Sequence, residues 1–505
     1  MDYPNHLARI WLLAGGAEVP PLATMYEVVW SQAATNVGVD WVASFLTRLL
    51  SLPVVDRLLR LCMFLGPPLG AVYLGRQIFG RISPWHIASL SLVWTTTAVA
   101  GFISYSISLA AALFCAAYVM GRQEKLSAPG LLIHAVFCAL LLLIHPFGLL
   151  FYMALLAGIV IGPDLAELAP RRLLKSVLPV AAFGLIGAVP VAALMLIAPS
   201  PPTLNGITWV DPSLYLRPAW LLKMYLSPIL SYDIGADLLF VLPVIAVVGV
   251  NLFLRRIDYH AGLLFAASLL LIVSTFAPHS IGDASWIHRR LPLMAALILV
   301  AAILPRPRTR AGRNLMVLAL TAAVIGKTVW VGLAWYRLDS DADDLMWVTR
   351  TVERGSSILY VAQEPIAPSR APVGSYMVGA AGWDFISTRT HFAAMLVPYR
   401  QVFVPTLFAV PGQHPIRVRP DWRLKSMVSA HIVSPSVLNT RNTGYLIDWQ
   451  CKFDYVLLVD ADKTARKPVV IKGVSLVNQR GFAALYDVDR PSRCSIAGQE
   501  RTNRS

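Results

Sequence analysis

Residues 129–162 read PGLLIHAVFCALLLLIHPFGLLFYMALLAGIVIG, a run of 34 residues without Asp, Glu, Lys or Arg. One bilayer-crossing helix needs about 20 apolar residues, so the run is too long for one span and suits two. Pro146 removes a helix hydrogen bond and favours a break within Ile144–Phe147. The run therefore predicts two transmembrane helices, 129–145 and 147–162, joined by a tight turn.

The composition of the whole chain agrees with a membrane protein. Of 505 residues, 56% are hydrophobic and 14% are charged, and the mean hydropathy is +0.61. Soluble domains have about 25% charged residues. The formal net charge of +15 does not indicate nucleic-acid binding, because the basic residues form no stripe or run and no nucleic-acid-binding motif accompanies them.

Apolar runs suited to membrane crossing recur between residues 58 and 336. We expect about ten spans and hence a polytopic transmembrane helix bundle. The predicted spans are 58–75, 86–101, 105–120, 129–145, 147–162, 176–198, 236–254, 260–277, 290–305 and 314–336.

Basic residues distinguish the two sides of the membrane. Every second loop between the spans is basic, whereas the loops between those carry only Arg217, Lys223, Arg289 and Arg290. Cytoplasmic loops of a plasma-membrane protein carry the excess of Lys and Arg, so the first set is predicted to be cytoplasmic in a bacterial inner membrane. Residues 1–56 and those after about 337 then lie outside. The basic residues of the predicted cytoplasmic loops are Arg76, Arg81, Arg122, Lys125, Arg171, Arg172, Lys175, Arg255, Arg256, Arg306, Arg308, Arg310 and Arg313.

The composition changes after the last span, and residues 337–505 are expected to form an extracytoplasmic α/β domain. Asp341–Arg354 is predicted to be a helix. Short β-branched and aromatic runs bounded by Gly, Pro and Asp predict strands. These runs are Ser357–Ala362, Val402–Val404 and Tyr455–Val459. Cys451 and Cys494 lie in this region, and an oxidising compartment allows them to pair.

The external segment 1–56 contains an amphipathic helix. Trp41, Val42, Phe45, Leu46, Leu49 and Leu50 recur at helical spacing. Such a helix either lies in the membrane interface or packs as an ordinary helix on the bundle, and the sequence leaves both open.

The opening residues Asp2-Tyr3-Pro4-Asn5-His6 are a candidate for chemistry at the outer surface. Asp2 and His6 are four residues apart, so a helix places both on one face, with Arg9 one turn further on. A carboxylate, an imidazole and a guanidinium can together take a proton, hold a divalent metal and bind a phosphate. The alternative is an N-cap aspartate followed by a solvated histidine.

This opening resembles the first external loop of bacterial GT-C-type integral membrane glycosyltransferases. Their D-x-P-x-H style of opening matches Asp2–His6, and the helix at 41–50 matches their interfacial helix. Gly101-Phe102-Ile103-Ser104-Tyr105 resembles a G-x-x-N-Y turn of related membrane proteins, with Ser104 in place of Asn. In this superfamily a transmembrane helix leads into the first external loop, so we expect such a helix before Asp2.

The resemblance implies transfer of a sugar from a polyprenyl-phosphate donor to an acceptor hydroxyl of a glycan or lipid. Asp2, with His6 beside it, would act as the general base, and the two are also the candidate ligands for Mg²⁺ or Mn²⁺. The leaving phosphate needs positive charge. Candidates for binding it are Arg289, Arg290, Arg9, His279 and His288, with Arg217 and Lys223 in reserve. For Arg289 and Arg290 the alternative is contact with lipid headgroups.

The long external loop 199–235 is rich in aromatic residues. Trp209, Tyr215 and Trp220 are candidates for stacking on a sugar ring. They suit an interfacial aromatic belt as well.

Two other classes of function stay open. A transporter would place ionisable groups at mid-membrane, where Lys327 is the clearest exception to otherwise uncharged spans. A non-catalytic assembly or scaffold protein of envelope polysaccharide biogenesis would need no acidic site.

Overall fold

The computed structural model describes residues 2–121, 127–167, 170–197, 206–281, 284–363, 376–378, 385–411, 413–427, 432–440, 444–461, 470–492 and 494. The helices are α1 Tyr3–Leu13, α2 Gly38–Leu49, α3 Leu52–Phe79, α4 Thr96–Val99, α5 Ile103–Met120, α6 Ala128–Ile144, α7 Pro146–Ala166, α8 Pro170–Ile197, α9 Pro212–Tyr215, α10 Pro218–Tyr225, α11 Ile234–Phe253, α12 Ala261–Phe276, α13 Ile287–Ala302, α14 Arg310–Val348, α15 Leu396–Arg400, α16 Pro420–Arg423, α17 Pro435–Thr440 and α18 Trp449–Lys452. The strands are β1 Tyr26–Val28, β2 Ile207–Thr208, β3 Ile257–Tyr259, β4 Ser280–Ile281, β5 Ala284–Ser285, β6 Ile303–Pro305, β7 Ile358–Ala362, β8 Tyr376–Val378, β9 Phe385–Ser387, β10 Ile416–Val418, β11 Tyr455–Val459, β12 Val474–Arg480 and β13 Ala483–Val488.

Six helices in the described part of the chain are long and apolar enough to cross a membrane, namely α3, α5, α7, α8, α11 and α14. Helices α6 and α12 are apolar but shorter, with 17 and 16 residues. The prediction of a mainly α-helical, multi-pass membrane protein with a C-terminal α/β region is confirmed. The turn at His145 is also confirmed, because α6 ends at Ile144 and α7 begins at Pro146, where the missing N–H of proline costs nothing.

The continuous span expected at 86–101 is wrong. A 3₁₀ helix runs over Pro84–Leu92, and the short helix α4 follows. Hydroxyl groups here bond to nearby backbone: Ser89 and Ser91 donate to carbonyls three residues back, and Thr95 accepts from the Ala98 N–H. Such bonds compete with the regular α-helical ladder.

This irregular segment nevertheless runs along the inside of the bundle. At one end the Trp85 Nε1–H donates to the Val300 carbonyl oxygen at 3.0 Å. At the other end the Thr96 hydroxyl donates to the carbonyl oxygens of Ser227 and Leu230, both at 2.8 Å. Non-α backbone at membrane depth is tolerated where protein surrounds it.

Short strand pairs join loops for which the same side of the membrane was predicted. Strand β3 lies in a loop predicted to be cytoplasmic, and it pairs with β6 at the end of the predicted span 290–305, which borders the next such loop. Strands β2, β4 and β5 connect two loops predicted to be external. Strand β1 pairs with β10 and so joins the N-terminal segment to the C-terminal domain. The loop contacts therefore agree with the orientation predicted from the basic residues.

The C-terminal domain is built on a four-stranded mixed sheet of order β12-β13-β11-β7, in which β7 and β11 are parallel. The predicted strand at Val402–Val404 is instead a single bridge from Phe403 to Ser357. The helix predicted at Asp341–Arg354 is the end of α14, which continues from the membrane to Val348. Ala8 and Leu12 of α1 share a buried apolar core with Leu345 and Ile358, so the N-terminal segment packs on this domain.

Cys451 and Cys494 form a disulfide, with their Cα atoms 5.3 Å apart. The prediction that these two cysteines pair is confirmed. A disulfide is consistent with an extracytoplasmic location of the domain.

The helix at 41–50 has its apolar side turned outward. In α2, Trp41 is 66% exposed, and Phe45 and Leu49 are similarly exposed, while Asp40 and Ala43 are buried. Exposed aromatic and leucine side chains on a helix beside the spans favour the interfacial position over ordinary packing on the bundle.

The predicted orientation can be tested by cysteine labelling on intact cells. Arg308→Cys lies in a predicted cytoplasmic loop, and Gln479→Cys lies on the exposed strand β12; both native side chains are exposed. We expect an impermeant maleimide to label position 479 but not 308, and to label both after permeabilisation. Labelling of 308 alone on intact cells would reverse the assignment.

Candidate functional site

Asp2 lies at the start of α1, and its side chain is 23% exposed. Its backbone N–H donates to the Ala100 carbonyl oxygen at 2.8 Å, and its carboxylate caps no helix N–H. Burial raises the pKa of the Asp2 carboxyl to about 6, against the opposing positive charge of Arg290. An accessible carboxylate with this pKa suits a general base near neutral pH.

His6 is buried, and burial lowers its pKa well below the usual value, with the charge of Arg9 lowering it further. Its Nδ1 lies 2.8 Å from Arg9 Nη2. Asp2 is the N-cap residue of α1, but its side chain forms no capping hydrogen bond, and His6 is buried, so the expectation of a solvated histidine is wrong.

Arg9 is fully buried and bound to Asp40 of the interfacial helix. Arg9 Nε lies 2.8 Å from Asp40 Oδ2, and Nη2 lies 3.0 Å from Oδ1. Both side chains are 0% exposed. This ion pair joins α1 to α2. Because Nε and Nη2 of Arg9 already bond to Asp40 and His6, Arg9 has a structural role here and does not lie at an open phosphate site.

Arg290 lies in the first turn of α13, and its charge acts on Asp2. Its Nη1 lies 3.2 Å from His145 Nε2, and its Nε donates to the Ser285 carbonyl oxygen at 3.1 Å. The guanidinium also lies over the rings of Phe102 and Phe147, 4.6 and 5.1 Å from their centroids. The Arg290 side chain is buried, and these aromatic faces stabilise it there as a desolvated cation.

The Gly101–Tyr105 motif contacts both α1 and Arg290. Gly101 has a φ of +89°, and an added Cβ would lie 2.6 Å from the Tyr3 backbone nitrogen, so glycine is required there. Phe102 lies under Arg290, and the Tyr105 hydroxyl donates to the Arg290 carbonyl oxygen at 2.7 Å. The motif therefore supports the placement of α1 and of Arg290, although it has Ser104 where the G-x-x-N-Y turn that it resembles has Asn.

The other predicted phosphate and sugar residues gather separately. His288 stacks on Trp220 with ring centroids 5.9 Å apart, Trp220 meets Tyr215 edge-on at 5.3 Å, and His279 lies 5.4 Å from His288. Burial and the charge of nearby Arg289 lower the pKa of His279.

Four of the predicted residues differ in their exposure. Arg289 and Lys223 are buried, whereas Trp209 is 62% exposed and Arg217 is exposed. The structure thus brings Asp2, His6 and Arg290 together and places the Trp220–His288 stack in a second cluster.

An apolar groove of about 870 Å³ lies between α7 and α12 and reaches the end of the bundle at His145, which is predicted to be the outer end. Its walls are mostly apolar, and many of the side chains on them are exposed at the surface of the bundle, including Phe276 at 70%. Lining residues include Phe147, Leu150, Ala154, Ala157, Ile161, Phe265, Leu269, Val273 and Ile287. His145 both lines this groove and contacts Arg290.

Within the described residues no group of three or more His, Cys, Asp or Glu side chains is placed to hold a metal ion. Two residues of the site were not foreseen. His145 was assigned to a helix end, which it caps, but it also contacts Arg290. His391 in the C-terminal domain lies 3.5 Å from Asp2, and no local sequence pattern points to it.

Comparison of the chain with protein-family models, with curated proteins and with solved structures finds no match.

Proposed function

We propose that this chain is a membrane glycosyltransferase of the GT-C type, which moves a sugar from a polyprenyl-phosphate donor to an acceptor hydroxyl at the outer face of the membrane. The observation that carries the proposal is the double role of His145, which lies at the outer end of the apolar groove and beside Arg290. A lipid tail in the groove would place its phosphate near Arg290, whose charge also acts on Asp2.

The proposed transfer reaction uses two side chains, Arg290 and Asp2. Arg290 would stabilise the negative charge that develops on the leaving phosphate. A preoriented cation in a poorly hydrated site stabilises such a charge more strongly than a cation in water does. Asp2 would take the proton of the acceptor hydroxyl. The partial exposure of Asp2 gives a polar acceptor access that the apolar groove does not.

A turnover assay tests the proposal directly. The purified full chain in lipid nanodiscs would be given polyprenyl-phosphate sugars with radiolabelled hexose or pentose and a panel of glycan and lipid acceptors. Release of free polyprenyl phosphate together with a labelled product supports the proposal. If no sugar on the panel is transferred, a non-catalytic scaffold is the better reading.

Filling the groove is expected to discriminate between long and short donors. Ala157→Trp places an indole in the groove, so a long polyprenyl tail loses apolar contacts worth about 0.8 kcal/mol per buried CH₂ group. We expect KM for a long-chain donor to rise at least about tenfold, while KM for a donor with two isoprene units stays nearly unchanged. Steady-state kinetics with both donors measures this.

The control is Leu185→Trp on α8, where the native side chain is 72% exposed outside the groove. It should leave both KM values within about twofold, as expected for an exposed position. Equal losses for long and short donors in Ala157→Trp would argue against the groove as the tail site.

A further inference from the structure

His391 brings the C-terminal domain into contact with Asp2. Its Nε2 lies 3.5 Å from Asp2 Oδ1, and its side chain is 11% exposed. The imidazole packs edge-on against Phe408 with centroids 5.2 Å apart, and Phe408 meets His6 in the same way at 6.0 Å. Apolar packing therefore holds the ring against the carboxylate.

The turn before His391 is held by a buried ion-pair network. Arg389 Nε and Nη2 donate to the carboxylate of Asp341 at 2.7 and 3.0 Å, and Nη1 donates to Asp460 at 2.8 Å. The Tyr360 hydroxyl donates to the Arg389 carbonyl oxygen. Because Asp341 belongs to α14, the helix that continues from the membrane, this network ties the position of His391 to the bundle.

The segment after His391 packs on α1, the helix that carries Asp2. Ala393 and Ala394 are buried in the same apolar core as Ala8 and Leu12. The Phe408 N–H donates to Asn5 Oδ1 at 3.3 Å. Both sides of the Asp2–His391 contact are therefore fixed by packing that does not involve the contact itself.

We propose that His391 is a positioning residue for Asp2, donating its Nε2–H to Oδ1 and leaving Oδ2 to take the proton of the acceptor hydroxyl. This inference rests on the proposed glycosyl transfer. In that step the acceptor O–H bond breaks and its oxygen bonds to the anomeric carbon. The bond from that carbon to the phosphate oxygen breaks with its electron pair on the phosphate, and the proton ends on Oδ2.

The surrounding charges set the direction of the effect. Burial opposes the ionised form of Asp2 and raises its pKa to about 6, whereas Arg290 from α13 favours that form. His145 from α7 contacts Arg290, and on α1 both His6 and the Asp40-paired Arg9 lie nearby. An N–H donor to the carboxylate favours its charged form, so removal of His391 raises the pKa of Asp2 further.

The test compares the pH dependence of kcat/KM for the wild type, His391→Gln and His391→Ala in the full chain. The base must be deprotonated, so activity is lost as pH falls through the pKa of Asp2. We expect the acid limb of His391→Ala to move up by about one pH unit, a loss of about fivefold at pH 6 that approaches tenfold about one pH unit lower. At pH 9 its rate should return to within about threefold of wild type. His391→Gln keeps an N–H donor and should shift the limb less.

A second measurement needs no turnover. A hydrophobic carbodiimide modifies protonated carboxyl groups, so mass spectrometry of Asp2 labelling against pH reports its protonation. In His391→Ala the labelling midpoint should move upward with the acid limb. If the wild type and Asp2→Asn behave as the transferase predicts but His391→Ala keeps the wild-type pH profile and labelling curve, the positioning role is wrong. If the wild type transfers no sugar, the proposed transferase fails instead, and labelling still decides whether His391 controls Asp2.

Discussion

Asp2→Asn is expected to lower kcat for sugar transfer by about 10²–10⁴-fold, the contribution typical of a general base. The amide is nearly the same size as the carboxyl but cannot take the acceptor proton. The loss should appear in kcat more than in the KM for donor, because Arg290 and the groove remain. Rates measured at pH 7.5, above the pKa of about 6 for Asp2, give the full difference.

The fold is expected to survive this substitution. The Asp2 carboxylate caps no N–H of α1, and the bond from its backbone N–H to Ala100 is kept. The control is Glu18→Gln, which removes an exposed carboxyl group from the same N-terminal segment and should leave kcat within about twofold. Full activity of Asp2→Asn in the purified assay would rule out the general-base role.

Asp40→Ala should loosen the N-terminal segment more than any exposed charge removal. It leaves the Arg9 guanidinium buried without its bidentate partner, and breaking a buried pair in this way costs about 3–5 kcal/mol. Where α1 exchanges its amide hydrogens by local opening, that cost corresponds to about 10²–10⁴-fold faster exchange. Hydrogen–deuterium exchange with mass spectrometry of peptides covering 3–13 and 38–49 measures it.

Two further variants serve as controls for Asp40→Ala. Glu27→Gln breaks the partly exposed pair of Glu27 with Arg417 between β1 and β10, worth about 0–1 kcal/mol, and should change exchange little. The double variant Arg9→Met with Asp40→Leu removes both charges and should recover much of the lost protection. Unchanged exchange in Asp40→Ala would mean that the pair does not hold α1 on α2.

In the membrane part, the sequence was enough to predict those features that depend only on neighbouring residues. The His145–Pro146 break separates α6 from α7 at the predicted place, because proline acts on the backbone beside it. The alternation of Arg and Lys between loops agrees with the loop pairing through β3 and β6. The segment at 86–101 was mispredicted because its apolar content suits a span, while its Ser and Thr side chains bond to their own backbone.

The site was predicted only in part, for a related reason. Asp2 and His6 are close in sequence, so helical spacing placed them together. Arg290 could be proposed from the charge that a leaving phosphate needs, but not separated from Arg289, since the rotation of α13 decides which of the two faces His145. His391 is 389 positions from Asp2, and no local pattern connects them.

The sequence by itself predicted the membrane class, the pairing of Cys451 with Cys494 and the polar opening at Asp2, because each depends on composition, short-range spacing or compartment. Only the tertiary structure decided that Arg9 is committed to Asp40, that His145 joins an apolar groove to Arg290, and that the C-terminal domain places His391 beside Asp2. Those contacts depend on how separate helices and the domain pack against one another, and packing over hundreds of residues leaves no periodic trace in the chain.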